Sequence, residues 1–450
     1  MSQAGKAVDV QSFIDGNPLS SAQKIIIWLC FIIVAIDGFD TAAVGFIAPA
    51  LKTEWALQAT DLAPLFGAGL FGLMAGALIF GPLADKVGRK PILIGSVLVF
   101  GIASIAAAYS ADINSLIIWR FITGLGLGGA MPNAITLTSE YSPAHRRSNL
   151  VTLMFCGFTI GSALGGILSA QLLPKVGWSG ILMIGGIAPL AVIPLLILYL
   201  PESLRFLVLK DKARDKIEKI AHQIAPHLQT LPILVTAPNE KNQASMRDLF
   251  SRKYAVGTLL IWLTFFMSLL IIYLISSWMP TMLTSHGFNL ENASWVTSVF
   301  QVGGTIGAIV IGYLMDKLDS TKVLSCAYLL GAVFLICLGF GIENAWMPLL
   351  LLGMFGVGVG ISGSQVGVNA FSSSFYPTQC RATGVSWANA VGRSGSVVGS
   401  LSGGWLMSLN LSVLEILTLL AVPAVFAAFS LYQLKRMKQA SLKTEYSVVS

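Results

Sequence analysis

Long apolar runs recur along almost the whole chain, and this pattern indicates the class of the fold. Each run has about 20 mostly apolar residues, which is the length that an α-helix needs to cross a bilayer. The runs lack the period of two that membrane β-strands show. The pattern therefore predicts an all-α membrane protein with twelve transmembrane helices. We number these spans 1 to 12, and they cover residues 25–49, 62–84, 91–110, 113–136, 148–173, 178–200, 255–283, 293–315, 321–341, 346–370, 383–408 and 411–434.

Composition supports the membrane interpretation. Of the 450 residues, 55% are hydrophobic and 11% are charged, with a mean hydropathy of +0.77. Soluble domains carry roughly a quarter charged residues. The first 24 residues are polar and lack the features of a cleaved signal peptide, so we expect span 1 to be a permanent anchor. The expected segments are a cytoplasmic tail (1–24), a six-helix half (25–200), a central cytoplasmic loop (201–254), a second six-helix half (255–434) and a cytoplasmic tail (435–450).

The distribution of Lys and Arg predicts the orientation. With a cytoplasmic N-terminus, the inside segments hold 24 of the 28 basic residues, and the outside loops hold only Lys52 and Lys175. Arg120 and Arg393 lie inside predicted spans. This asymmetry places both termini in the cytoplasm. The same asymmetry accounts for the net charge of +7, because the basic residues set the orientation and can contact anionic lipid. The charge therefore does not indicate nucleic-acid binding.

The two halves repeat short features. The segment "GPLADKVGRKP" (81–91) follows span 2, and "GYLMDKLDSTK" (312–322) follows span 8. Glycines spaced by four residues occur in both halves, and such spacing lets helices approach closely. They are Gly157, Gly161 and Gly165 in span 5, and Gly395, Gly399 and Gly403 in span 11. Two pseudo-symmetric six-helix halves around a midplane site are typical of secondary transporters.

Two aspartates interrupt span 1, in "FIIVAIDGFDTAAVGF" (31–46). An ionised carboxylate at a helix centre costs roughly 2.5–3.5 kcal/mol on insertion scales. Asp37 and Asp40 are three residues apart and so share one helix face. Neighbouring carboxylates resist double ionisation, which favours a proton carrier. The alternative is a structural role, with one aspartate bonded to an Arg or capping a helix broken at Gly38.

The loop after span 2 resembles the signature motif of the major facilitator superfamily. Gly81 would let span 2 lie close to a neighbour, and Asp85 would accept bonds from a helix N-terminus or a basic group. Arg89 and Lys90 would hold the cytoplasmic face closed. The second copy keeps Asp316 but replaces the basic cluster by "LDST", so we expect the two copies to contribute unequally.

Further motifs resemble one branch of that superfamily, the aromatic acid:H+ symporter family. They are "DGFDTAAVGFIAP" (37–49), "SEYSPAHRRS" (139–148), "LPESLRFLV" (200–208) and "YPTQCRATGVSW" (376–387). The resemblance runs across essentially the whole chain. It implies uptake of an aromatic carboxylate such as 4-hydroxybenzoate, protocatechuate or benzoate, with protons. It also implies that Asp37 and Asp40 are needed for transport.

The resemblance assigns roles to three further residues. Arg120 opens "RFITGLGLGG" (120–129), which resembles the fourth-helix motif linked to proton coupling. Glu140 matches an acidic residue in the loop after the fourth helix, also linked to coupling. Arg393 matches an Arg of the eleventh helix.

Arg393 is also a candidate from physical reasoning alone. A guanidinium in an apolar span can pair bidentately with a substrate carboxylate, or neutralise a span 1 aspartate while the site is empty. A purely structural ion pair is the alternative. Other candidate substrate-binding residues are polar or aromatic, and each of them could instead be packing between helices. They are Asn389, Gln365, Asn369, Gln301, Tyr273 and Trp387.

Several other functions are disfavoured. The formal G-x-G-x-x-G at 124–129 lies inside a span and not in a βαβ unit, and no P-loop occurs, so we expect no nucleotide, cofactor or metal. Drug efflux is the alternative transport function. Drug antiporters of the superfamily carry a Gly-Pro pair in the fifth helix. The corresponding segment here is "GSALGG" (161–166), with Ser162 in the place of the proline, which disfavours efflux. A membrane enzyme would need motifs that are missing. We expect a monomer in a bacterial cytoplasmic membrane. The charge-rich residues 210–220 could form a short surface helix, and a solvated face is the interpretation that we favour.

Overall fold

A computed structural model describes residues 7–210, 214–228, 231–236, 249–251, 254–376, 380–409 and 411–449. The fold is all-α apart from one pair of short strands. In the described part of the chain, the membrane helices are Ser21–Glu54, Ala59–Val87, Arg89–Ala108, Ile113–Glu140, Arg147–Tyr199, Ala255–Ser285, Leu290–Lys317, Ser320–Glu343, Met347–Val357 continued by Gly358–Gly363 and Ser364–Phe375, Arg381–Ser408 and Val413–Val449.

These helices confirm the predicted spans. Ten described helices are long and apolar enough to cross a membrane. One of them, Asn149–Tyr199, contains both span 5 and span 6, which meet at Gly177, where φ is 68°. Arg381–Ser408 is absent from the ten because its many Gly and Ser residues and Arg393 lower its hydropathy. With the long helix divided at Gly177 and Arg381–Ser408 added, the ten described helices correspond to the twelve predicted spans.

Glycines bring neighbouring helices into backbone contact in both halves, as their spacing predicted. A Cβ at Gly161 of span 5 would lie 1.8 Å from the carbonyl oxygen of Ala35 in span 1. In the second half, a Cβ at Gly395 would lie 2.2 Å from the carbonyl oxygen of Phe266 in span 7. Only glycine permits such contacts, so these positions fix how closely the paired helices pack.

Span 10 changes its winding in the middle. An α-helix (Met347–Val357) continues into a π-helical turn (Gly358–Gly363) and then into a second α-helix (Ser364–Phe375). The π-turn packs on span 8, where a Cβ at Gly307 would lie 2.6 Å from the Cα of Val359. Such turns are frequent at functional sites, and this one ends just before Gln365.

The described residues form two compact units. The first comprises residues 1–41, 68–162 and 178–240, and the second comprises 42–67, 163–177 and 241–450. Within the second unit, the ring of Phe66 meets the edge of the buried Trp278 ring, with centroids 4.9 Å apart. The ends of spans 1 and 2 that adjoin their connecting turn therefore pack with helices of the second half.

The N-terminal tail is folded onto the central loop. A strand at Ala7–Asp9 pairs in parallel with Ile233–Val235, and a short helix follows at Val10–Asp15. Phe13 and Ile14 of that helix are buried in the hydrophobic core of the first unit. A polar tail thus becomes ordered because its few apolar residues share one face.

Where the structure describes residues 210–220, they belong largely to a surface helix, and the charged residues of that helix form its solvated face. Leu204–Leu209 and Arg214–Ile224 are helices. The second of these buries Ile220, Ala221 and Ile224 in the same core as the tail. Its charged residues cover the opposite face, as in an amphipathic surface helix.

Candidate functional site

Asp37 and Asp40 lie on an unbroken span 1 and are almost completely buried, at 1% and 0% exposure. The hydroxyl of Thr41 donates a hydrogen bond to Asp37 Oδ1 over 3.2 Å. Span 5 packs directly on this segment, because a Cβ at Gly38 would lie 2.1 Å from the carbonyl oxygen of Phe158. Ser162 of span 5 donates to the Gly38 carbonyl over 2.9 Å. The helix is not broken at Gly38, so the capping alternative is wrong.

Asp40 forms a two-pronged ion pair with Arg120 of span 4. Nη1 of Arg120 lies 3.0 Å from Oδ1, and Nη2 lies 2.8 Å from Oδ2. Both side chains are at most 4% exposed. Ser104 of span 3 donates a third hydrogen bond to Oδ1 over 3.1 Å. Asp40 is thus bonded to an Arg, as one of the two structural alternatives for the aspartates proposed, and the partner is Arg120.

Burial makes this pair costly to disturb. A bidentate guanidinium–carboxylate contact is among the strongest hydrogen-bonded arrangements in proteins. Removal of one member of a buried pair costs roughly 3–5 kcal/mol, because the other charge is left without compensation. The arrangement therefore ties span 1 to span 4 through two charge-assisted hydrogen bonds between Arg120 and Asp40.

Arg393 lies on span 11, partly buried, and its Nη1 donates to the hydroxyl of Tyr273 on span 7 over 3.0 Å. Asn389 donates to the Val385 carbonyl of its own helix over 2.9 Å. The structure thus places one cation and one phenol from the predicted substrate set in direct contact. It shows Asn389 bonded within its own helix.

The remaining predicted substrate residues are dispersed over the second unit. Gln301 of span 8 donates to Ser276 over 3.5 Å, and Asn369 donates to the carbonyl of Gln365 over 3.1 Å. Among the described residues, the buried Gln365 Oε1 accepts no hydrogen bond. Trp387 is 39% exposed and stacks on Trp262, with ring centroids 6.0 Å apart.

Two predicted gate residues, Asp85 and Arg89, form a cluster in the first unit with Glu140, which was predicted for proton coupling. The fifth gate residue, Asp316, belongs to the second unit. Arg89 pairs with Asp85 over 2.9 Å and with Glu140 over 3.5 Å. Glu140 therefore lies with the loop after span 2, whereas Asp40 pairs with Arg120. The close helix contact expected at Gly81 is not found, since a Cβ there would meet no described atom within 4 Å.

Glu202 organises this cluster. Its Oε1 accepts hydrogen bonds from the backbone N–H groups of Arg89, over 2.9 Å, and Lys90, over 3.3 Å. Gly88 precedes this helix start with φ of 119°, and a Cβ there would lie 2.2 Å from Glu202 Oε2. Glu202 thus supplies the N-terminal cap of span 3, where Gly88 has no side chain to do so.

The phenol of Tyr141 ties the cluster to the same segment. Its hydroxyl donates to the Glu202 carbonyl over 2.5 Å. Burial, together with the nearby carboxylates of Glu140 and Glu202, raises the pKa of Tyr141 well above its ordinary value. The phenol therefore remains a hydrogen-bond donor throughout the physiological pH range.

Sequence reasoning missed Ser104 and Glu202. A serine within an apolar span is a weak signal, because most such serines bond their own helix. Glu202 had a usable signal, since it is the acidic residue of the "PES" motif (201–203). Within the described residues, no cluster of three or more His, Cys, Asp or Glu has a geometry that could hold a metal ion.

Comparison with known proteins identifies similar chains. A family model described as Major Facilitator Superfamily matches residues 30–400 and 261–446. The chain is 44% identical over 415 residues to the 4-hydroxybenzoate transporter PcaK of Pseudomonas putida, covering 92% of each chain. It is 43% identical to a gallate transporter of Pseudomonas putida, covering 90% of each. It is 34% identical to a benzoate transport protein of Acinetobacter baylyi, covering 90% of this chain and 88% of that one.

A solved structure shares the fold. The xylose transporter XylE of E. coli, in a partially occluded inward open conformation, superposes with a TM-score of 0.73 at 19% identity. The match covers 92% of this chain and 98% of that one. The similarity extends over both six-helix halves, as the internal repeats predicted.

Proposed function

The chain belongs to the major facilitator superfamily, within the branch of aromatic acid transporters, and from this premise we propose that it is a symporter that takes up an aromatic carboxylate together with protons. It is a multi-pass membrane transporter and not an enzyme. The proposed substrates are 4-hydroxybenzoate, protocatechuate or a similar benzoate, because the relatives named above carry such acids.

The observation that carries the coupling proposal is the buried Asp40–Arg120 pair. Protonation of Asp40 would neutralise the carboxylate, weaken both of its bonds to Arg120 and leave a cation that must find a new partner. That change alters the charge of a low-dielectric site by one, which is enough to bias a two-state equilibrium between conformations. Asp37, one turn away and bonded to a neutral hydroxyl, would exchange the proton with Asp40.

The contact between Arg393 and Tyr273 supports an anionic substrate. A carboxylate has two oxygens that accept hydrogen bonds, and the guanidinium and the phenol present donors side by side. An aromatic acid could therefore accept from both groups at once, and charge-assisted bonds of this kind are the strong ones. In our proposal the first half binds the proton and the second half binds the carboxylate.

The proposed location is a bacterial cytoplasmic membrane, since the relatives are bacterial. The concentration of Lys and Arg in alternate loops supports cytoplasmic termini on both ends. In this orientation the Asp85–Arg89–Glu140 cluster faces the cytoplasm, and the proposed transport cycle needs no partner subunit.

Uptake by cells tests the proposal. Labelled 4-hydroxybenzoate, protocatechuate, gallate and benzoate are offered to cells that express the chain, with and without a protonophore. Cells with the empty vector provide the background. We expect accumulation of at least one acid above its external concentration, and collapse of that accumulation when the proton gradient is removed. Accumulation that survives the protonophore or requires sodium would contradict proton symport, and faster loss of preloaded acid would indicate efflux.

A further inference from the structure

Ser104 of span 3 lies between two hydrogen-bond acceptors from different helices. Its side chain is 0% exposed. The hydroxyl oxygen is 3.1 Å from Asp40 Oδ1 on span 1 and 3.3 Å from the carbonyl oxygen of Leu182 on span 6. A serine hydroxyl has one hydrogen and can donate to only one acceptor at a time. Two orientations of one hydroxyl are therefore available without movement of any helix.

The carboxylate that Ser104 contacts is the one held by Arg120. Asp40 Oδ1 accepts from Ser104 and from Nη1 of Arg120, which lies 3.0 Å away. A hydrogen bond to an ionised acceptor is roughly twice as strong as one between neutral groups. The hydroxyl therefore points to Asp40 while the carboxylate is charged. When the acid is neutral, the bond to Leu182 competes on equal terms.

The geometry points to Ser104 as a positioning residue for proton binding at Asp40, an inference that rests on the proposed proton coupling. A hydronium ion transfers its proton to Oδ1, so that one O–H bond of the hydronium breaks, the acid O–H forms and a water molecule is released. The Ser104 hydrogen then turns to the Leu182 carbonyl, and the Ser104 oxygen accepts from the new acid. One O–H bond thus breaks in the hydronium ion and one forms on Asp40, so the contact between Oδ1 and Ser104 reverses its direction while the ion pair with Arg120 is lost.

Close helix packing keeps the hydroxyl at this position. A Cβ at Gly186 of span 6 would lie 2.8 Å from the carbonyl oxygen of Gly101 on span 3, so the two backbones touch near Ser104. A Cβ at Gly185 would lie 3.5 Å from Asp40 Oδ1 and 3.6 Å from the Ser104 hydroxyl oxygen. The hydroxyl is therefore confined between the carboxylate and the Leu182 carbonyl.

The charged surroundings of Asp40 are simple. Arg120 approaches from span 4, and Asp37 lies one turn away on the same helix. The facing turns of span 3 (101–107), span 5 (157–162) and span 6 (181–186) contain no titratable residue. Within the first unit, Ser104 is thus the neutral donor that acts on Asp40 beside the Arg120 cation.

Span 3 also offers a matched control. Ser96 lies on the same helix and is 1% exposed, and its hydroxyl has no hydrogen-bond partner among the described residues. Replacement of Ser96 by Ala removes the same atom from the same helix without touching Asp40. Any effect that is specific to Ser104 therefore reports on the carboxylate and not on serine loss as such.

The test measures uptake of labelled substrate against external pH for Ser104→Ala, Ser104→Cys, Ser96→Ala and the parent. Loss of the Ser104 donor destabilises the carboxylate of Asp40 relative to its protonated form. We therefore expect Asp40 to bind its proton at a higher pH in the variant than in the parent. We expect the pH of half-maximal uptake to move by about one unit to the alkaline side in Ser104→Ala. Ser104→Cys should shift it less, because a thiol is a weak donor. Ser96→Ala should keep the parent profile.

Other outcomes distinguish the failures. A parent profile in Ser104→Ala, or a uniform loss at every pH without a shift, would overturn the role of Ser104 and leave the proposed symport intact. Uptake by the parent that ignores the protonophore would overturn both. If Ser104→Ala does not reach the membrane, the near-isosteric Ser104→Cys decides, and an unshifted profile there would also overturn the inference.

Discussion

The two halves of the molecule share a helix plan but place different chemistry in it. The first half buries a carboxylate and a guanidinium against each other, Asp40 with Arg120. The second half holds a partly buried guanidinium, Arg393, that donates to a neutral phenol. In our proposal the first pair binds the proton, and Arg393 with Tyr273 binds the substrate carboxylate. The two halves therefore use the same helix plan to hold different side-chain chemistry.

The loop copies differ in the same way. Span 9 begins with a local cap, since Asp319 accepts a hydrogen bond from the backbone N–H of Lys322. Span 3 begins after Gly88, and its cap comes from Glu202, more than one hundred residues further along the chain. The start of span 3 therefore depends on the position of the segment after span 6, whereas the start of span 9 is capped by the residue that directly precedes it.

The largest effects are expected at the aspartates. Asp37→Asn and Asp40→Asn keep the side-chain size but remove the titratable group, so each should lower concentrative uptake at least about 100-fold. Only Asp40→Asn leaves the buried Arg120 charge without a carboxylate, which costs roughly 3–5 kcal/mol. Uptake by cells and thermal unfolding of the purified proteins measure the two consequences separately.

The double variant Asp40→Asn with Arg120→Gln is the control for this difference. It removes both charges, so we expect it to regain much of the lost stability while uptake stays absent. Near-parent accumulation in both single aspartate variants would show that the pair is purely structural. Equal stability of the Asp37→Asn and Asp40→Asn proteins would contradict a stabilising role of the Asp40–Arg120 ion pair.

The next effect concerns the cation of the second half. Arg393→Ala should abolish binding of the aromatic acid, because an anion in a low-dielectric site needs a fixed cation. Arg393→Lys keeps the charge but loses the planar fork, so we expect weak transport with KM raised about tenfold. Calorimetric titration of the purified variants measures binding directly. Near-parent affinity in Arg393→Ala would move the carboxylate site elsewhere, with Arg120 as the next candidate.

A smaller effect should separate the two helix caps. Glu202→Ala removes an acceptor from the N–H groups of both Arg89 and Lys90, and we expect a loss of about 2 kcal/mol in stability. Asp319→Ala removes one ordinary cap and should cost about 1 kcal/mol. Thermal unfolding gives the stabilities, and hydrogen exchange should show opening at residues 89–92 in the first variant alone. Equal hydrogen exchange at the starts of span 3 and span 9 in their respective variants would contradict the proposed difference between the two caps.

Sequence alone predicted the membrane helices and the repeated halves, and it singled out Asp37 and Asp40, because charge in an apolar run is a strong signal; their importance for transport stays a prediction. It did not predict that Arg120, 80 residues from Asp40, is the partner of that aspartate. Such pairing depends on helix packing, and Arg393 was an equally reasonable partner. The cap from Glu202 and the contact of Ser104 likewise arise only when distant helices meet. The tail helix at Val10–Asp15 was missed because its apolar face spans only a few residues.

The smallest effect is expected at Tyr273, and it refines the role of the second half. Tyr273→Phe removes only the hydroxyl that accepts from Arg393 and keeps the ring. A typical hydrogen bond contributes about 0.5–1.5 kcal/mol net, and the Arg393 cation stays in place, so we expect KM to rise about three- to tenfold with little change in the maximal rate. The proton dependence of uptake should stay as in the parent, because Tyr273 lies outside the Asp40 cluster.

The comparison that decides the role of Tyr273 uses two substrates. If the phenol donates to the carboxylate, the affinity for benzoate and for 4-hydroxybenzoate should fall by the same factor in Tyr273→Phe, since both acids carry that group. If the phenol bonds the ring hydroxyl instead, only 4-hydroxybenzoate should lose affinity, because benzoate has no such hydroxyl.

Tyr328→Phe is the matched control, since this phenol is fully buried in the second half and its hydroxyl bonds Ser268. Equal losses in Tyr273→Phe and Tyr328→Phe would point to packing of the second half, and Tyr273 would then have no direct part in substrate recognition.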